Sequence, residues 1–348
     1  MNGPQMPRPG LLLLVALAGV LAGAGIGLWL AHPRVPQVPE PRRESQVPRL
    51  PATEQATRPT RPTELRTAPI AFDVQRAMGH VQHLAETIGC RPGGSLAERD
   101  AFGYAANQLA PLGWRPCFRE GVSLGRTRRQ TGYLVGRHPT GHGATKCVLG
   151  AHIDSIEGKE RSPGGNDNGS GVAVLLESAR CLVGESLPFE LELVLFGAEE
   201  TTMGAPGHMG SRAYVADALA TGTIGTIEGL INVDMIGCGE TLYAVSYDDP
   251  LPMQACDNKV KRQLVRTAGA LGVPLNPNRN NRFGDHEPFA RQGLPHVWLY
   301  RRQDPFYHTA QDTAARVQPA LVEQAGRLVV QAVLDVARGH GGSTARVR

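Results

Sequence analysis

Cys147-Val148-Leu149-Gly150-Ala151-His152-Ile153-Asp154 is an apolar run of strand length that ends in a histidine and an acid. On an extended chain, residues two apart project to the same side, so His152 and Asp154 face one way from the strand's end. Outward from this segment the chain alternates. Glu190 to Phe196, Leu230 to Met235 and Val297 to Tyr300 repeat the buried-strand pattern downstream, and Thr131 to Gly136 precedes it. Helical stretches fall at Phe72–Ile88, Leu96–Leu112, Ser170–Leu182, Asn258–Ala270 and Pro319–Arg338. This rhythm predicts a single three-layer α/β domain over residues 71–348, with a mixed, largely parallel sheet covered by helices on both faces. In such a sheet the ligand crevice lies beyond the carboxyl ends of the strands.

The polar residues gather at those ends. After His152 and Asp154 comes Gly164-Gly165-Asn166-Asp167-Asn168-Gly169-Ser170-Gly171, a glycine-rich loop that delivers Asp167 to the start of a helix, where the helix dipole favours a carboxylate. Leu193-Val194-Leu195-Phe196-Gly197-Ala198-Glu199-Glu200 ends an apolar strand in two adjacent acids. Their mutual repulsion in a poorly hydrated crevice is relieved if one binds a dication, and the other is then free to act as a base. Leu230-Ile231-Asn232-Val233-Asp234 repeats the theme, and Phe306-Tyr307-His308-Thr309 follows late in the chain, with Asp312 four residues after His308. Hard oxygen donors mixed with two imidazoles suit zinc. His152, Asp167, one of Glu199 and Glu200, Asp234 and His308 are more donors than one zinc needs, and a carboxylate shared by two metals resolves the count. Each segment alone reads as easily as a turn, a cap or an ion pair; the ordered set is what carries weight.

That ordered set resembles the co-catalytic two-zinc exopeptidases of metallopeptidase family twenty-eight, whose members include bacterial leucine-type aminopeptidases and glutamate carboxypeptidase, with glutaminyl cyclase as a relative. The resemblance spans roughly residues 75–340 and includes Gly-Cys-Arg-Pro-Gly-Gly-Ser at 89–95 and Gly-Ser-Arg-Ala-Tyr at 210–214. It implies that Asp167 bridges two zinc ions. Glu200 and His308 then complete one site, and His152 and Asp234 the other. It further implies that Glu199 is the general base and that Asp154 orients His152, a role expected of a carboxylate behind a ligating imidazole.

Gly284-Asp285-His286-Glu287-Pro288-Phe289 is similar to the family's stretch near the substrate pocket, so Asp285 and His286 are candidate substrate contacts. Some family aminopeptidases place an oxyanion-stabilising tyrosine just before that stretch. Here Asn281-Arg282-Phe283 stands instead, leaving Arg282 or Tyr307 for the role. The loop from Thr201 to Met209 is longer than in the simplest members. The implied activity is a zinc-dependent exopeptidase acting on peptides, with an amino terminus preferred because acids at the site favour a nearby ammonium. The alternatives are a single-zinc glutaminyl cyclase and an inactive binding protein on the same scaffold.

Composition narrows the rest. With 41% hydrophobic and 20% charged residues in 348, the chain is neither collagen-like, nor wholly disordered, nor a multi-span membrane protein. Residues 1–70 hold 8 arginines and 4 acids, which leaves 28 basic and 28 acidic side chains beyond them. That balance argues against nucleic acid as the main partner. Six cysteines are too few for a disulfide scaffold; Cys238 and Cys256 are the pair expected if the domain is exported.

Leu11 to Ala31 is 21 residues without a charge, about 30 Å of helix and enough to span a bilayer core. Residues 1–31 therefore read as a signal-anchor or transmembrane helix, with Ala22-Gly23-Ala24 as a conceivable cleavage site. Residues 32–70, with nine prolines, read as an extended spacer. The arginines after the span would put the domain in the cytoplasm by charge alone. The family resemblance favours the opposite: a domain tethered outside the cytoplasm, or secreted if cleaved. Oligomeric state leaves no mark in the sequence.

Overall fold

Along Glu190–Phe196, Leu191, Leu193 and Leu195 enter one hydrophobic cluster while Val194 and Phe196 enter another on the opposite face. Period-two alternation with both sets buried is the signature of a strand covered on two sides. The computed structural model describes residues 71–124, 129–158, 161–200, 207–246, 258–277 and 284–343. The expected anchor and spacer, Arg282 and Cys256 lie outside the described residues. No helix among the described residues is long and apolar enough to cross a membrane.

The strands are β1 (Arg115–Ser123), β2 (Gln130–Arg137), β3 (Lys146–His152), β4 (Glu190–Phe196), β5 (Ile227–Asp234), β6 (Leu242–Val245) and β7 (His296–Arg301). They form one seven-stranded sheet in the order β1-β2-β4-β3-β5-β7-β6. The inner strands β4, β3, β5 and β7 run parallel. Antiparallel β1 and β2 close one edge and β6 the other. The helices are α1 (Val74–Gln82), α2 (Leu96–Leu109), α3 (Gly171–Leu182), α4 (Met209–Ala220), α5 (Lys259–Leu271), α6 (Glu287–Arg291) and α7 (Pro319–Ser343). Apolar residues of α1, α2, α3, α5 and α7 share the larger cluster, and α4 and α6 share the smaller one on the other face. The expected single α/β domain with a mixed, mainly parallel sheet is what forms.

Local chemistry sets the helix starts. Asp73 caps α1 by accepting from the Gln75 and Arg76 amides at 2.9 and 3.2 Å, and Ser95 caps α2 by accepting from the Glu98 amide at 3.1 Å. At the end of β4, Phe196 is fully buried against the edges of the Tyr214 and Phe289 rings. Truncating such a ring costs about 3–5 kcal/mol, so this contact fixes the strand end that leads to Glu199.

Candidate metal centre

Parallel register brings the polar residues level. His152 at the end of β3 pairs with Phe196 of β4, and Asp234 at the end of β5 pairs with Tyr300 of β7. Asp167 comes from the loop before α3, Glu199 and Glu200 from the turn after β4, and His308 from the segment after β7. Asp167 lies between two donor sets. Its Oδ1 is 3.1 Å from His152 Nε2, which in turn is 3.3 Å from Asp234 Oδ1. Its Oδ2 is 3.3 Å from His308 Nε2, which is 3.0 Å from Glu200 Oε1. The two trios His152–Asp167–Asp234 and Asp167–Glu200–His308 each bring three donor atoms within 4.8 Å of one another.

Tetrahedral zinc with bonds of about 2.0–2.2 Å spaces its donors roughly 3.3–3.6 Å apart. The observed 3.0–3.3 Å separations suit that geometry with little movement. The donor chemistry fits as well, since three carboxylates and two imidazoles are what zinc accepts. All five residues named as donors from the sequence meet here.

A further layer holds them. Asp154 accepts from the Glu199 amide at 3.0 Å and the Glu200 amide at 3.1 Å. Its Oδ1 also faces His152 Nδ1 at 3.5 Å. Asp154 therefore holds the acidic turn by two hydrogen bonds, and it meets the imidazole only at ion-pair distance. Asp312, fully buried, accepts from the Asn166 and Asp167 amides at 2.7 and 3.1 Å and so fixes the loop that carries Asp167. The Asn168 side chain ties the same loop to the end of β5, donating to the Val233 carbonyl at 2.9 Å. Trp298 Nε1 donates to Asp234 Oδ2 at 3.1 Å, leaving Oδ1 toward His152. Glu98 accepts from the Ala198 amide and the Thr131 hydroxyl, linking α2 to the Glu199 turn. None of the roles of Asp312, Trp298 or Glu98 is visible in the sequence, because each partner is distant along the chain.

The electrostatics describe a site short of positive charge. Burial and the neighbouring Asp167 charge push Glu200 well above the carboxylate range. Burial, partly offset by His152, raises Asp234 to about 6. Burial opposes ionisation of Asp167, but the bonds from His152 and His308 outweigh it and hold that carboxyl low. Burial would lower both imidazoles; Asp234, Asp154 and Asp167 raise His152 instead, and Asp167 and Glu200 raise His308 to about 10. Protons thus do the neutralising that dications would do. Glu199 differs: burial is outweighed by the His152 charge and a bond from His208, so it stays ionised at neutral pH.

A cavity of about 350 Å³ opens over the donors, walled by Met235, Trp298, Tyr300, Arg302, Asp304 and Tyr307. Tyr307 is exposed and stacks on His308 with centroids 3.7 Å apart. Partial burial and the surrounding carboxylates keep its phenol protonated. Asp285 and His286 depart from expectation. Both are fully buried and neither lines the cavity. The His286 ring instead stacks on Trp298, centroids 5.1 Å apart. Arg282, the other candidate, lies outside the described residues.

Residues 134–333 match the profile of Peptidase family M28. Among relatives, aminopeptidase YwaD of Bacillus subtilis is 32% identical over 194 residues, covering 54% of this chain and 40% of that protein. Leupeptin-inactivating enzyme 1 of Streptomyces exfoliatus is 30% identical over 254 residues, covering 70% of this chain and 53% of that one. The chain thus spans about half the length, or less, of these curated relatives. The fold is similar to that of BSAP, a zinc aminopeptidase from Bacillus subtilis, with a TM-score of 0.67 at 19% identity over 79% of this chain and 96% of that one. It is also similar to Porphyromonas gingivalis glutaminyl cyclase, with a TM-score of 0.66 at 21% identity over 76% of this chain and 98% of that one. The matched profile covers more than half of the chain, so this chain belongs to peptidase family M28.

Proposed function

We propose that the chain is a zinc-dependent aminopeptidase that holds two metal ions and removes residues from the amino terminus of peptides. The observation that carries the reading is Asp167, whose two oxygens each address a separate histidine–carboxylate pair. Bound there, zinc supplies Lewis acidity, which polarises a scissile carbonyl and lowers the pKa of an attacking water toward about 7.

The chain's own groups do the rest. Glu199, ionised and fixed by the Asp154 bond to its amide, takes a proton from the attacking water and returns it to the leaving amine. Tyr307, protonated beside His308, is the available donor to a developing oxyanion. Met235, Trp298 and Tyr300 offer an apolar wall for a substrate side chain. The relatives named aminopeptidases support the amino-terminal preference; on the cavity wall Asp304 favours an ammonium and Arg302 a carboxylate. Arg301 lines the cavity, but it bonds the Ile236 and Glu240 carbonyls, so its charge is engaged elsewhere.

Tethering by residues 1–31 and 32–70, with the domain outside the cytoplasm, belongs to the same proposal. It is supported by the 21-residue apolar run and the proline-rich spacer. Cyclisation of an amino-terminal glutamine would use a single zinc and no attacking water, and the five-donor set argues against it. The test pairs metal analysis with peptides blocked at one end. Two zinc ions per chain, with cleavage of amidated but not acetylated peptides, is expected. Cleavage of acetylated peptides only would reverse the polarity. One zinc with no hydrolysis would favour the cyclase, and an inert chain with metal bound would favour a binding protein.

A further inference from the structure

His208 belongs to none of the donor segments, yet its backbone and its ring both meet Glu199. Its amide donates to the Glu199 carbonyl at 2.9 Å, and its Nε2 stands 3.2 Å from Glu199 Oε1. On the far side of the ring, Nδ1 stands 3.3 Å from Glu287 Oε2, and Glu287 Oε1 accepts from Arg291 Nε at 3.0 Å. The ring thus sits between two carboxylates: Nε2 lies within hydrogen-bond reach of Glu199, while Nδ1 faces Glu287 as an ion-pair contact without hydrogen-bond alignment.

The backbone is built to keep it there. His208 has φ 61°, a left-handed conformation that costs a residue other than glycine about 1–2 kcal/mol. The next amides are zipped to the acidic turn, Met209 to the Ala198 carbonyl at 2.9 Å and Gly210 to the Gly197 carbonyl at 2.8 Å. A Cβ at Gly210 would stand 2.5 Å from the Gly197 nitrogen, so a side chain there would prise the two segments apart.

We propose that His208, backed by Glu287, is the positioning residue for Glu199, clamping one carboxylate oxygen so that the other is presented to the attacking water. The proposal rests on Glu199 being the general base. The surrounding charges agree with it: burial would lower the His208 pKa, but Glu199, Asp285 and Glu287 raise it. α4 supplies the backbone turn, the segment after β4 supplies Glu199, and α6 with the residues before it supplies Glu287 and Asp285.

The test uses the metal-loaded full chain and the variants His208→Ala, His208→Gln, Glu287→Gln and Glu199→Ala. A glutamine amide can set an N–H near the place of Nε2. His208→Ala is expected to keep its metal content and KM while kcat falls about 10- to 100-fold. His208→Gln should recover most of that loss, and Glu287→Gln should show a smaller fall. In the Glu199→Ala background, His208→Ala should cost nothing more, because the two act as one unit. An unchanged kcat in His208→Ala, or an equal loss in both backgrounds, overturns the proposal.

The ring ¹⁵N shifts of His208, assigned by their absence from His208→Gln, give a readout independent of turnover. They should move in Glu199→Gln, and shifts that stay put overturn the clamp. If they move while wild type hydrolyses no aminoacyl substrate, the clamp stands and the proposed reaction is what falls.

Discussion

Replacing Trp298 with phenylalanine isolates one bond behind a metal donor. Trp298 Nε1 donates to Asp234 Oδ2 at 3.1 Å, with both residues 4% exposed. The indole stacks on Tyr300, centroids 4.0 Å apart and planes 9° from parallel, and a phenyl ring keeps most of that contact. What goes is the donor to a charged acceptor, worth about 1.5–3 kcal/mol when buried. At about 1.4 kcal/mol per tenfold, that is roughly 10- to 150-fold in affinity for a metal that needs Asp234 held in place. Measured losses for partners that orient ligands, about 10- to 100-fold, agree. Chelator competition against zinc reads the affinity, and chemical unfolding of the metal-free variant separates any packing cost. The expected result is one weakened site and one intact site. Wild-type affinity at both sites would refute the idea that this bond places Asp234.

Three further outcomes follow from the same geometry. Glu199→Ala should retain both metal ions while turnover drops about 10²- to 10⁴-fold, measured by metal analysis beside hydrolysis of an aminoacyl chromogenic substrate. Asp167→Ala should lose both metals rather than one, because both trios share its carboxylate; a variant that keeps one tightly bound zinc would contradict this. Zinc uptake by the metal-free chain should release protons at neutral pH, since His308 is raised to about 10 and His152 is also raised. The sign follows directly: a donor whose metal-free pKa lies above the working pH must give up a proton, so affinity should rise with pH toward 10. Calorimetry in two buffers of different ionisation heat measures it, and heats independent of the buffer would count against it.

His152, Glu200 and Asp234 were legible because each closes or soon follows a short apolar strand, as His152 follows Cys147–Ala151 and Asp234 follows Leu230–Val233, and Asp167 because its glycine-rich loop opens a helix. A parallel sheet then brings strand ends together without further instruction. What holds them was not legible. Asp312 meets the Asp167 amide across 145 residues, and Trp298 meets Asp234 across 64, pairings that exist only once the sheet has formed. The ring of His208 is aimed by a left-handed turn that composition does not encode. Strand β1 carries no clear sequence signal because it is a half-exposed edge, with Arg115, Arg119 and Glu120 interrupting any alternation. β6, with four residues, is too short to carry a period. The family resemblance drew Asp285 and His286 toward the substrate, but the sequence could not show that both would be fully buried, with the His286 ring stacked on Trp298.

The most direct measurement is anomalous diffraction at the zinc edge from crystals of the metal-loaded chain. The account predicts two peaks flanking the Asp167 carboxylate, one touching His152 and Asp234 and the other touching Glu200 and His308. A lone peak, or peaks that leave either trio untouched, would contradict it.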